Sequence, residues 1–128
     1  MKKLLMGLLM LLVSGAAVAE WTIVDVDDEL ALFVDRTTIR RNGNFVKMWS
    51  LIDYKKAKVF EGTSDLSERS QYEYDCKEER MRRLALTTFS GQMGSGAVTY
   101  TNSDTGNWVP VAPGSVAEAH WKIACGKK

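Results

Sequence analysis

The sequence predicts an α+β domain, a small antiparallel β-sheet of about six strands packed with one C-terminal α-helix and held by one disulfide. Three observations predict it. Short runs of β-branched and aromatic residues alternate at period two between turn signals. A complete helix start occurs near the C-terminus, where Ser115 is followed three residues on by Glu118. The chain has two cysteines, Cys76 between the apolar runs and Cys125 at the end of that helix.

The first residues set the compartment. Met1-Lys2-Lys3 precede an apolar run from Leu4 to Val13 and the small-residue stretch Ser14 to Ala19. This is the order of a secretory leader cut after Ala19, with an apolar segment too short to span a bilayer. Residues 20–128 then form a single domain, long enough to bury a core of its own. No cysteine lies near the cut, so lipid attachment is closed and no membrane anchor is expected after cleavage. The chain has 17 basic and 16 acidic residues, and without Lys2 and Lys3 its formal charge moves from +1 to −1. An exported, near-neutral domain of this kind is excluded as a nucleic-acid binder. Export also places the cysteines in an oxidising compartment, where Cys76–Cys125 is the one possible pair. No Cys-x-x-Cys occurs, so the pair reads as structural.

Trp21–Val26 and Leu30–Asp35 read as strands joined by the acidic turn Asp27-Asp28-Glu29. Asn42-Gly43 is a hairpin dipeptide and leads into a strand over Phe45–Tyr54. Along it Val46, Met48, Ile52 and Tyr54 face one way and Phe45, Trp49 and Leu51 the other, so both faces should be partly covered. Lys55–Ser70 is polar and reads as a loop around Gly62-Thr63-Ser64-Asp65. Alternation resumes at Gln71, with Tyr72, Tyr74 and Cys76 inward and Glu73 and Asp75 outward. Lys77–Arg83 reads as the middle of a long strand that bends or bulges before Leu84–Phe89. Gly91–Gly96 forms a turn, Ala97–Thr101 a further strand, and Trp108–Val111 a short edge segment because Pro110 cannot donate to a ladder.

The final segment is helical. Pro113-Gly114 stops the extended chain, Ser115 caps, and Glu118 and Lys122 pair at i, i+4. Val116, Ala117, Ala119, Ile123 and Ala124 form an apolar arc with Trp121 at its edge. Gly126 ends the helix, and Lys127-Lys128 suits its negative pole.

No catalytic constellation stands out. His120 is the only histidine and falls within the apolar arc, with no second His or free Cys to build a metal site. The alternatives left open for it are axial haem ligation and a small periplasmic hydrolase. No Gly-x-Ser-x-Gly elbow supports a nucleophile. Glu73 and Asp75 could serve as a carboxylate pair, but with Arg80, Arg82 and Arg83 close in sequence they read as cross-strand ion pairs. Asp25, Asp27, Asp28 and Glu29 lack the loop spacing of a calcium site, and Gly91, Gly94 and Gly96 lack the Lys and helix start of a phosphate loop. No cofactor is predicted. The remaining candidates are two basic groups, Arg36, Arg40 and Arg41 with Lys47, and Arg80-Arg82-Arg83, together with Trp108 in a Gly/Asn-rich loop. The reading is a binding module rather than an enzyme.

Asp35-Arg36-Thr37-Thr38-Ile39, Val46-Lys47-Met48-Trp49, Tyr72 to Lys77, Ser90-Gly91, Met93 to Gly96, Trp108 to Ser115, and Cys125 together resemble the surface-adhesin protein E family. The resemblance spans nearly all of residues 20–128 and lies in the order and spacing of these pieces. It implies a small antiparallel sheet packed with a C-terminal helix, a disulfide tying the two, and a place in the bacterial envelope. It also implies binding of a host extracellular-matrix protein or an envelope component. Only Cys76 and Cys125 carry over by position. Without a lipid-bearing cysteine, the expected address is periplasmic or secreted, with the cell surface left open.

Overall fold

The computed structural model describes residues 18–128, so most of the leader lies outside the described residues. The strands are β1 (Trp21–Val26), β2 (Leu30–Asn42), β3 (Phe45–Phe60), β4 (Thr63–Asp75), β5 (Arg80–Phe89), β6 (Val98–Asn102) and β7 (Val109–Pro110), followed by helix α1 (Val116–Cys125). Strands β1 to β6 lie side by side in chain order, each antiparallel to the next, and β7 adds to β5. Such a meander needs only tight turns between neighbours. The expected antiparallel sheet, single C-terminal helix and single disulfide are all present, with strand far outweighing helix.

Three strand assignments need correction. Lys55–Ser70 is not a loop, because β3 and β4 continue through it and turn at Glu61-Gly62, where both residues have positive φ. Its polar sequence reflects an arm that leaves the core, with Lys55 to Gly62 all exposed. Strand β2 runs past Asp35 to Asn42, across a register shift between Asp35 and Arg40. Finally, Lys77–Arg83 does not continue a long strand. β4 stops at Asp75, whose Oδ1 accepts hydrogen bonds from Lys77 N–H and Glu78 N–H at 3.1 Å each, and Glu79 takes a positive φ before β5 begins. The expected bulge is nonetheless present in β5: Gln71 pairs with Ala85 and Tyr72 with Arg83, leaving Leu84 as the extra residue.

One face of the sheet carries the main core. Val34, Val46, Met48 and Tyr74 are 0% exposed and pack with Val111, Trp121, Ala124 and Cys125. The helix is capped as expected, Ser115 Oγ accepting from Glu118 N–H at 3.2 Å and Gly126 adopting φ 68°. Its rotation differs from the expected arc. His120 and Ala124 are buried as that arc requires, but Trp121 and Cys125 are buried as well while Val116 is exposed. Two ties set that rotation: the Cys76–Cys125 disulfide and the Trp121 Nε1–H bond to the Asp75 carbonyl at 2.9 Å. Arg41 adds a third, its Nη2 donating to the Cys125 carbonyl at 3.2 Å beside the helix's negative pole.

The opposite face is covered by chain rather than helix. The Gly91–Gly96 turn folds over Leu51 and Phe89, so that a Cβ on Gly94 would sit 3.9 Å from the Phe89 ring and 4.0 Å from Leu51 Cδ1. Ser67 Oγ ties it down, donating to Gly91 O at 2.6 Å and accepting from Gly94 N–H at 2.9 Å.

Two stability measurements check this packing. The disulfide closes a loop of 49 residues, so replacing both cysteines by Ala should lower the unfolding free energy by about 4 kcal/mol in urea titrations. The Tyr74 hydroxyl is buried with no hydrogen-bond partner. Tyr74→Phe should therefore leave stability unchanged or raise it by about 1 kcal/mol, the reverse of what loss of a bonded hydroxyl does.

Candidate binding face

Residues paired directly across an antiparallel sheet point to the same side. The registers Arg40↔Lys47, Lys47↔Glu73 and Glu73↔Arg82 therefore place one residue from each of four strands in a single row, on the side away from α1. The next row holds Phe45, Asp75 and Arg80. The two basic groups, separate in sequence, become one surface.

Trp108 is stacked on that surface. The loop carrying it returns alongside β5, with Gly106 N–H bonded to the Arg83 carbonyl at 2.8 Å and β7 paired with Arg80 and Met81. Its ring lies 4.3 Å from the Arg82 guanidinium and 4.7 Å from that of Arg80, and its centroid is 5.7 Å from that of Phe45. Each guanidinium is also held from the sheet side, Arg82 Nη2 by Glu73 Oε1 at 2.7 Å and Arg80 Nε by Asp75 Oδ2 at 2.9 Å. Exposed ion pairs are worth about 0–1 kcal/mol apiece, and exposed cation–π contacts a similar amount, so the stack serves mainly to fix orientation. Trp108 is half-buried in it. Lys47 is exposed, and among the described residues no carboxylate lies within ion-pair distance of it. Arg40 is exposed too, with Nη1 bonded to the carbonyls of Thr37 and Ile39 at 2.9 Å each.

Not every basic residue joins this face. Arg41 pairs with Val46 and reaches the helix terminus, and Arg83 pairs with Tyr72 on the helix side. Glu73 and Asp75 form the expected ion pairs, but Asp75 is buried rather than solvated. Burial pushes its carboxyl pKa up. The bonds from Glu78 N–H, the Arg80 side chain and Lys77 N–H, with the Arg80 charge, more than offset this and hold it below the usual carboxylate value.

His120 is 8% exposed, and its Nδ1 faces the Val116 carbonyl at 2.9 Å, so Nδ1 carries the hydrogen. Burial pushes its pKa down against the opposing effect of that bond. It lines a cavity of about 180 Å³ with Ser50, Tyr72, Tyr74 and Met81. That volume is below the range of roughly 300–1,000 Å³ usual for small-molecule sites and gives no room for haem. No carboxylate lines it. Among the described residues, no three His, Cys, Asp or Glu side chains gather to hold a metal ion.

Sequence reasoning missed a larger cavity of about 510 Å³ where the β3–β4 arm curls beside β6. Tyr54, Phe60, Leu86 and Tyr100 wall it, and Tyr54 Oη donates to Glu68 Oε2 at 3.1 Å. Val59-Phe60 immediately before Glu61-Gly62 is the signal that could have revealed a hairpin there.

Fold and face together define a disulfide-tethered β-meander with one C-terminal helix and a cationic, aromatic outer surface. The chain belongs to the surface-adhesin protein E family, whose sequence profile matches residues 21–126. Solved structures of Haemophilus influenzae protein E have a similar fold. Crystal form II aligns at a TM-score of 0.63 with 14% identity, covering 86% of this chain and 97% of that one. The protein from a non-typeable strain aligns at 0.62 with 11% identity, covering 88% of this chain and 79% of that one. A search of curated protein sequences returns no significant match.

Acid titration checks the electrostatics of the face. Because the Asp75 carboxyl is held below its ordinary value in the folded state, its stabilisation is present above about pH 4 and is lost as pH falls through the folded value. Asp75→Asn should reduce stability at pH 7 by about 1–3 kcal/mol and flatten the dependence between pH 7 and pH 2.5, as read by urea unfolding at each pH.

Proposed function

We propose that this chain is an exported, non-catalytic, adhesin-like binding protein whose outer sheet face meets an acidic patch or anionic glycan on a macromolecular partner. The partner is a host extracellular-matrix protein or an envelope component. Arg40, Lys47, Arg80, Arg82 and Trp108 form the contact surface. One observation carries this reading: the sheet register joins two distant basic segments into one row and stacks an indole on it. Membership of a surface-adhesin family supports it. Arg80 and Arg82 are neutralised by Asp75 and Glu73, so they present a planar, pre-ordered indole–guanidinium platform. Arg40 and Lys47 supply the uncompensated positive charge beside it. A rigid aromatic centre with charge at its rim is an arrangement suited to protein or glycan recognition.

Binding of the purified, exported protein to immobilised extracellular-matrix preparations and sulfated glycans tests the proposal. Lys47→Glu combined with Arg40→Glu should weaken binding by about tenfold or more, and rising salt should weaken the wild type similarly. Arg83→Glu, on the helix side, should change it less than about twofold. Equal effects from both surfaces, or saturable turnover of a substrate in place of binding, would overturn the reading.

A further inference from the structure

We propose that Asp35 is a receptor for the α-ammonium group created by cleavage between Ala19 and Glu20, so that export processing completes an ion pair at the start of the sheet. The inference rests on reading residues 1–19 as a leader.

Asp35 sits opposite Trp21, where β2 leaves its regular pairing with β3, and in the uncut chain is 2% exposed. Its Oδ1 accepts from Thr37 N–H at 3.0 Å and from Thr37 Oγ1 at 2.5 Å. Its Oδ2 accepts from Glu20 N–H at 3.0 Å. All three donors are neutral in the uncut chain. Among the described residues, no Lys, Arg or His nitrogen lies within 4.0 Å of this carboxylate. A buried carboxylate without a cation is costly, and the other buried aspartate, Asp75, has Arg80.

Hydrolysis of the Ala19–Glu20 peptide bond consumes one water, leaves the leader with a carboxylate at Ala19, and frees the Glu20 nitrogen as an amine that is protonated at neutral pH. That nitrogen is the atom already 3.0 Å from Asp35 Oδ2. The cut therefore adds a full positive charge to the donor of a hydrogen bond whose acceptor is already ionised, turning an amide–carboxylate bond into an ion pair. It also removes Val18 and Ala19 from the wall of a cleft of about 400 Å³ over Asp35. The other charges facing that cleft are the guanidinium groups of Arg40 and Arg69, the latter 5.3 Å from the Trp49 ring, and the Glu20 carboxylate beside the new terminus.

The test uses the full chain, exported and purified after processing. Intact mass should place the first residue at Glu20. The α-amino group, followed by the pH dependence of its acylation, should titrate at least about one unit above the roughly 8 of a free amino terminus. With that pKa raised in the folded state, the pair's stabilisation is fully present below about pH 8 and is lost as pH rises through the folded value. Nα-acetylation keeps a neutral N–H donor at the same place, so it should lower the melting temperature at pH 7. It should cause no further loss in Asp35→Asn, and if that variant fails to fold the acetylated wild type still decides. An amine titrating at or below about 8, or an acetylated protein as stable as the free one, overturns the inference while leaving the leader reading intact. A chain still carrying residues 1–19, or cut elsewhere, overturns both.

Discussion

The Cys76–Cys125 bond joins the turn after β4 to the last residue of α1, and the helix-side core depends on where that bond holds the helix. A ten-residue helix is too short to be stable alone in water, and the arc it buries is shifted from the one periodicity selects, Val116 being exposed and Trp121 and Cys125 buried. The tether, the Trp121 bond to the Asp75 carbonyl and the Arg41 bond to the Cys125 carbonyl rotate it so that Trp121 and Cys125 enter the core. Chain closure thus decides a packing question that hydrophobicity leaves undecided.

Asp75 links this core to the outer face. Its carbonyl receives the helix indole, one carboxylate oxygen shapes the β4–β5 turn, and the other holds Arg80 under Trp108. The helix side and the binding side therefore share one residue. Disturbing the disulfide end of the sheet should be felt on the cationic surface through Asp75.

Much of this was legible in the residues. The alternation over Phe45–Tyr54 and Gln71–Cys76 and the capping box at Ser115 and Glu118 were each written locally and appear as expected, and the hairpin expected at Asn42-Gly43 forms one residue on, at Gly43-Asn44, with Asn42 paired to Phe45. Lys55–Ser70 was not, because Lys55 to Gly62 is exposed on both faces and carries no alternation, and the buried positions after it, Ser67 and Ser70, are polar. The turn at Cys76–Glu79 was hidden because it is made by the Asp75 side chain rather than by Gly or Pro. For the binding face, residue types were legible but their company was not. Sequence grouped Arg80, Arg82 and Arg83 together, whereas strand alternation sends Arg83 to the other side and cross-strand register brings Lys47 in beside Arg82 through Glu73.

The arm formed by the ends of β3 and β4 reaches past the segment that α1 covers, and Val59 and Phe60 at its tip are largely bare. Since no residue of that tip belongs to the hydrophobic cluster, its length is decoupled from the thermodynamics of the body. Insertions or deletions in matched pairs would preserve inside–outside parity and leave the core untouched. The reach and tip chemistry of the arm can therefore be changed at little cost in foldability.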